Sequence, residues 1–191
     1  MNFVDKDLLS VQEARILMER AAQAKEALAA FPQEKLDRIA AAMLEAARER
    51  LSQLARLSAE ETGYGNWRDK YIKDRFVCEA LETRLAGRRF VGVLEEDPGA
   101  GIARIGVPLG VIVAPTPAFG PVAAVISAAV LAVKSGNAIV FSPHPRAERT
   151  TRTAIQFLTS HFSGLLHYPP LDEFSFLAGI PAVDNHFGFL H

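Results

Sequence analysis

Cysteine is nearly missing: among 191 residues only Cys78 carries a thiol, so no disulfide can close within the chain and a reducing, cytoplasmic setting is the expectation. Net charge is nearly missing too. Lys+Arg 21 against Asp+Glu 22 leaves a formal −1, which offers no basic excess to hold a nucleic-acid backbone. The opening MNFVDKDLLS lacks the basic-then-apolar layout of a secretory signal, which predicts no export. From Val107 to Val133 charge disappears altogether, and a hydropathy window alone would flag a membrane span. Pro108, Pro115, Pro117 and Pro121 exclude one continuous helix there and favour a buried strand, a turn and a buried helix. There is no G-x-G-x-x-G phosphate-binding fingerprint. Residues 161–191 contain no lysine or arginine, yet they hold four of the five histidines.

What is present is a chain 49% hydrophobic, long enough to bury a substantial core. Ser10-Val11-Gln12-Glu13 has the form of a capping box, which predicts a helix start, and Val11, Ala14, Leu17, Met18, Ala21, Ala24 and Leu28 follow at helical spacing. A second helix is expected from Pro32, with Leu36, Ile39, Ala40, Met43, Leu44, Ala47, Leu51 and Leu54 on one face and Gly63 at its end. A third is expected over Trp67 to Leu85. These form a helical preamble. After Gly87 the pattern changes to strands, Phe90 to Leu94 and Ile102 to Val107, with Glu95-Glu96-Asp97-Pro98-Gly99 as the turn of a possible hairpin. Then come a charge-free strand, Gly110 to Ala114, a Pro/Gly-rich turn, a helix from Pro121 to Lys134, a stop at Ser135-Gly136-Asn137, and a strand from Ala138 to Phe141. That order is βαβ and predicts an α/β domain with a parallel sheet under helices. Residues 161–191 show no clear helical or strand period and read as a tail poorly matched to what precedes them.

A strand that runs through a Pro/Gly turn into a helix start sets backbone amides and a helix dipole at the strand's carboxyl end, where nucleotides bind. Spacing alone leaves a purely structural βαβ unit as an equal reading. The phrase SGNAIVFSPHPRA at 135–147, after PLGVIVAPTPAFGP at 108–121, resembles the CoA-acylating branch of the aldehyde dehydrogenase superfamily. Three earlier phrases agree in the same order: FPQEKLDRIAAAMLEAA from Phe31, ETGYGNWRDKYIKDRF from Glu61 and GVLEEDPGAGIARIGVPLG from Gly92. The resemblance covers about residues 1–157.

The resemblance implies the amino-terminal, Rossmann-like NAD-binding part of such an enzyme, truncated, with residues 1–160 as helices plus an incomplete cofactor-binding domain and 161–191 as a divergent tail. It implies an oxidoreductase chemistry: aldehyde, CoA and NAD(P)⁺ give acyl-CoA and NAD(P)H by way of a cysteine thiolate. The family's nucleophile falls beyond residue 191, so Cys78 is expected to be a buried helix residue and the chain inactive alone. The alternatives are a non-catalytic remnant or partner subunit that joins a full-length dehydrogenase as an oligomer, or one half of a split enzyme. By the same matching, Pro115, Thr116 and Pro117 would line the nicotinamide side of NAD or NADP, and Ser142, His144 and Arg146 the adenosine and phosphates. Gly120 stands where the family pattern has an asparagine that stabilises an oxyanion. Plainer readings stand beside these: Arg146 as a solvated helix start, His144 as a structural residue between prolines, Gly120 as a tight turn. The tail histidines His161, His167, His186 and His191 match no standard ligand spacing, so no metal is expected. A chain of this kind is also expected to expose apolar surface and to associate.

Overall fold

The computed structural model describes residues 6–160 and the backbone of residues 177–179. Three helices come first: α1 (Lys6–Ala29), α2 (Gln33–Thr62) and α3 (Trp67–Leu85). A hairpin follows, β1 (Gly92–Asp97) and β2 (Ile102–Gly106), then β3 (Val111–Thr116), α4 (Pro121–Lys134) and β4 (Ala138–Pro143). A 3-10 turn, Pro145–Ala147, leads into α5 (Glu148–Thr159), and β5 (Leu177–Gly179) is the last of the described strands. The expected α/β class with a helical preamble is the observed one. Among the described residues no helix is long and apolar enough to cross a membrane.

The boundaries of α2 and α3 follow from their end residues. Pro32, extended at φ −68°, precedes the first turn of α2, and Gly63 ends the helix at φ 69°, a left-handed conformation that favours glycine. Asn66 caps α3 by accepting a hydrogen bond from the Asp69 amide at 3.0 Å. The predicted apolar face of α2 is buried as a unit, and the helix packs against α3, α4 and α5. For α1 the capping-box expectation is overturned. The helix is already running at Lys6, so Ser10 lies inside it and cannot act as an N-cap. Only the later part of its predicted stripe is buried, at Ala21, Ala24 and Leu28, while Val11 and Met18 are exposed.

The hairpin exists, with its first strand moved. Glu95, Glu96 and Asp97, expected in the turn, extend β1 and pair with Arg104, Ala103 and Ile102 of β2. This ribbon is exposed along β1 and most of β2, so polar side chains cost it nothing, and the Asp97 carboxylate accepts from the amides of Gly99 and Ala100 to close the turn. In the second sheet β3 pairs parallel with β4, and β4 with β5, in the order β3-β4-β5. β3 is an edge strand, which accommodates Pro115, a residue without an amide proton, inside a strand where a turn was expected. Leu177–Gly179 falls in the tail that showed no strand period, and it adds a parallel strand beside Ile139, Val140 and Phe141. The helix start read at Arg146 is a 3-10 turn that leads into α5, whose extent the sequence reading did not give; its buried face is Thr150, Thr151, Ala154, Ile155 and Leu158.

Three polar clamps hold these layers in register. Asn137 accepts from the Gly110 amide at 2.8 Å and donates to Ser135, which ties the start of β4 to the start of β3. Glu61, in the last turn of α2, accepts from the Arg149 amide at 2.7 Å and from the amide and hydroxyl of Thr150 at 2.6 and 2.5 Å. That carboxylate caps α5, whose own N-cap Ala147 has no side-chain acceptor. Gln33, 2% exposed, uses its whole side-chain amide: Nε2 donates to the Lys134 carbonyl and to Asp37, and Oε1 accepts from the amides of Phe90 and Val91.

Several large apolar side chains remain exposed, among them Ile102, Ile105, Val107, Leu109, Val113, Phe119 and Leu131. Replacing Gln33 by alanine strands two amides and the carbonyl at the end of α4, and the expected loss is at least about 2 kcal/mol in a urea titration. A loss below about 0.5 kcal/mol would mean that water serves these groups equally well.

Candidate functional site

The carboxyl ends of β3 and β4 lie side by side because the strands are parallel and in register, Pro115 opposite Ser142 and Thr116 opposite Pro143. The ladder continues one step further, where the His144 amide donates to the Thr116 carbonyl at 3.1 Å. Thr116 is buried, and its hydroxyl meets that of Thr151 on α5 at 3.2 Å, which fixes the strand end against the helix. Pro115, His144 and Arg146 are exposed, and Ser142 and Pro117 are half-buried. The His144 ring accepts the Arg146 amide on Nδ1 at 3.1 Å, a cap for the 3-10 turn, so a local structural role for His144 is real. Arg146 makes no ion pair with another described residue, which leaves its guanidinium fork free. Six of the seven sequence-derived positions therefore form one rim. Gly120, buried, is the seventh and begins α4 as its N-cap, with no side chain to cap the helix.

Sequence reading missed what faces Gly120. Lys70, Lys73 and Asp74 of α3 occupy one helical face, at spacings of three and four residues. Lys70 Nζ donates to the Phe119 carbonyl at 3.1 Å, and Lys73 Nζ lies 3.0 Å from the point where a Gly120 side chain would begin. Burial, and then the nearby Lys73 charge, lower the Lys70 pKa. Asp74 is 1% exposed; its nearest cation, Lys73 Nζ, is 3.6 Å away, too far for a hydrogen bond, and Asp74 Oδ1 has no hydrogen-bond partner. Burial pushes the Asp74 pKa up to about 6, against the pull of the two lysines. The only signal in the sequence was the Lys70-Lys73-Asp74 spacing itself.

Cys78 sits one turn further along α3, fully buried with a free thiol. Burial raises its pKa to about 11, so the thiol is neutral and shielded, as expected of a core residue. Among the described residues no group of three His, Cys, Asp or Glu side chains could hold a metal ion; the tail histidines lie outside the described residues.

A parallel βαβ unit whose proline-rich strand end runs into a helix start is of the Rossmann-like class of α/β fold. The particular family is settled by comparison: the model of the aldehyde dehydrogenase family matches residues 5–162, and the chain belongs to that family. It is 36% identical over 145 residues to the bifunctional aldehyde-alcohol dehydrogenase AdhE of Escherichia coli K12, a match covering 76% of this chain and 16% of that protein. It is 36% identical over 148 residues to the acylating sulfoacetaldehyde dehydrogenase of Cupriavidus necator, covering 75% of this chain and 30% of that one. The crystal structure of an acetylating aldehyde dehydrogenase from Geobacillus thermoglucosidasius superposes with a TM-score of 0.86 at 33% identity, over 93% of this chain and 38% of that one. These relatives place the resemblance in the CoA-acylating branch. The chain spans well under half the length of each.

Two outcomes test the electrostatics. The Asp74 pKa rises from an ordinary 3.8 to about 6, so between those values the native state holds a proton that the unfolded chain releases. Stability therefore falls as pH climbs through that window, by up to about 3 kcal/mol. Urea midpoints at pH 5 and pH 7.5 should diverge for the parent chain and converge for Asp74→Asn; an unchanged pH dependence in the variant would refute the assignment. Cys78 should resist iodoacetamide at pH 8 in the native chain and react promptly in 6 M guanidinium, read by mass spectrometry. Rapid native alkylation would show an accessible thiolate instead.

Proposed function

We propose that the chain is the cofactor-binding part of a CoA-acylating aldehyde dehydrogenase, with residues 1–160 as that unit, Leu177–Gly179 of the 161–191 tail joined to its sheet, and NAD⁺ or NADP⁺ as its ligand. The observation that carries this is the alignment of Pro115 and Thr116 with Ser142 and His144 at the carboxyl ends of two parallel strands, beside an unpaired Arg146. Ligands of open α/β sheets sit at such strand ends. Arg146 suits a phosphate because its planar fork donates two parallel hydrogen bonds, and it is exposed with no competing carboxylate among the described residues. Pro115 and Pro117 present a rigid apolar wall without amide donors, which suits the face of a nicotinamide ring. A bound nicotinamide cofactor supplies a hydride acceptor. Ser142 and His144 would meet the adenosine side.

The acylating reaction also needs a thiolate, and Cys78 cannot serve, being buried and neutral. On this reading the nucleophile comes from another stretch of polypeptide, CoA is a co-substrate of the completed enzyme, and this chain alone oxidises no aldehyde. Calorimetric titration of the chain with NAD⁺ and with NADP⁺ is the test. Saturable binding is expected, weakened about tenfold or more by Arg146→Ala, since a charge-assisted contact is worth about 1.5–3 kcal/mol. The cofactor that binds more tightly is assigned as the ligand. A folded chain that binds neither overturns the proposal and favours a non-catalytic partner of other dehydrogenase chains, a role suited to the exposed Val113, Phe119 and Leu131.

A further inference from the structure

Lys70 has two acceptors near it and uses one. Along α3 it stands four residues before Asp74, on the same buried face, where side chains at that spacing are neighbours. An ammonium and a carboxylate so placed ordinarily close to a charge-assisted hydrogen bond. Lys70 Nζ reaches instead to the Phe119 carbonyl at 3.1 Å, and Asp74 Oδ1, in a side chain 1% exposed, has no hydrogen-bond partner. Lys73 does not fill the gap, because its Nζ lies 3.6 Å from Oδ1 and its side chain turns toward solvent. A charged oxygen left empty in a buried position is costly, whereas a neutral carboxyl loses far less. The observed arrangement is therefore the one suited to the protonated acid. The surroundings add little charge of their own. Lys73 and Lys70 act on Asp74 from its own helix. Arg48 of α2, held on Glu82, and Glu79 act on Cys78 one turn further along, whose thiol is neutral. α4 carries no charged residue before Lys134 at its far end.

We propose that Lys70 is a two-position latch, which anchors the Phe119 carbonyl while Asp74 is protonated and turns to the Asp74 carboxylate when that group ionises, releasing the loop that leads into α4. The balance is simple. Asp74 gives one proton to water, the hydrogen bond at the Phe119 carbonyl breaks, and one forms at Oδ1. Burial pushes the Asp74 pKa up to about 6, so the acid form holds the loop below that pH and the ionised form frees it above. Pro117 stands two residues before Phe119, so the wall it lends to the rim loosens as pH rises. The latch uses only groups of this chain and stands whether or not the rim binds a cofactor.

The test follows ¹³C- and ¹⁵N-labelled chain by NMR from pH 5 to pH 7.5. It reads the Phe119 carbonyl carbon, the Gly120 amide nitrogen of the same peptide unit, the Asp74 carboxyl carbon, and the ε-methylene groups of Lys70 and Lys73. One shared midpoint near 6 is expected for the Asp74, Phe119, Gly120 and Lys70 signals. Asp74→Asn, which keeps the shape and cannot ionise, should hold the Phe119, Gly120 and Lys70 signals at their acid positions throughout. Lys70→Met, which keeps the stem and removes the ammonium, should leave Phe119 and Gly120 at the released position at every pH. A midpoint that survives in Asp74→Asn overturns the latch, as do Phe119 and Gly120 signals that stay flat while Asp74 titrates. So does a Lys73 signal that follows Asp74 with Lys70 unmoved, which would show Lys73 closing on the carboxylate instead. Where a variant fails to fold, the parent chain still decides, because its Asp74, Lys70 and Phe119 signals must share one midpoint.

Discussion

A helix that is apolar along nearly its whole length can sit inside a protein only if the free amides and carbonyls at its ends find hydrogen-bond partners. That constraint governs α4. Its residues Val122, Val125, Ile126, Ala129, Val130 and Val133 are all buried, and its one charged residue, Lys134, comes last. At the carboxyl end, Gln33 takes the Lys134 carbonyl while Asp37 takes the Lys134 ammonium at 2.6 Å. At the amino end, Lys70 holds the loop through the Phe119 carbonyl. The helical preamble therefore meets the carboxyl end of α4 from α2 and, from α3, holds the loop that leads into its amino end, where no side chain caps the first amides. The preamble is thus more than a lead-in: it supplies the polar groups that let the βαβ unit be apolar.

The elements legible in the sequence were those whose signals are local. Pro32 and Gly63 bracket α2, and the charge-free stretch with Ser135-Gly136-Asn137 marks β3, α4 and the return strand. The misreadings have physical causes. The Ser10 box has the right residues, but helix continues on both sides of it, and a cap motif says nothing about the residues before it. The acidic run Glu95-Glu96-Asp97 reads as a turn only if strands must be half-buried, and the β1 ribbon is exposed along its whole length. Helix α5 was read only as a helix start at Arg146, because its cap comes from Glu61, 88 positions before Arg149, and no local window contains it.

The candidate site divides the same way. Pro115, Thr116, Pro117, Ser142, His144 and Arg146 could be named from the sequence because they lie in two short phrases, whose strand ends a parallel register sets side by side. The group at Gly120 was invisible because its partners come from α3, with Lys70 49 positions before the carbonyl it holds. Gly120 itself read equally as a missing side chain and as a tight turn; the structure sets a lysine ammonium 3.0 Å from where its side chain would begin. Family membership accounts for the shared frame, and the relatives' greater length means that much of their architecture has no counterpart in this chain.

The Glu61 clamp sets a limit on how small this architecture can be made. A piece containing β3, α4, β4 and α5 would hold every residue of the rim, yet it would leave the first turn of α5 without its acceptor and the end of α4 without Gln33. The smallest portable module is therefore the whole span from α2 to α5. Exchange or shuffling of this rim between proteins must carry the preceding helices as cargo, because the rim and its scaffold are separable on paper and not in the folded chain.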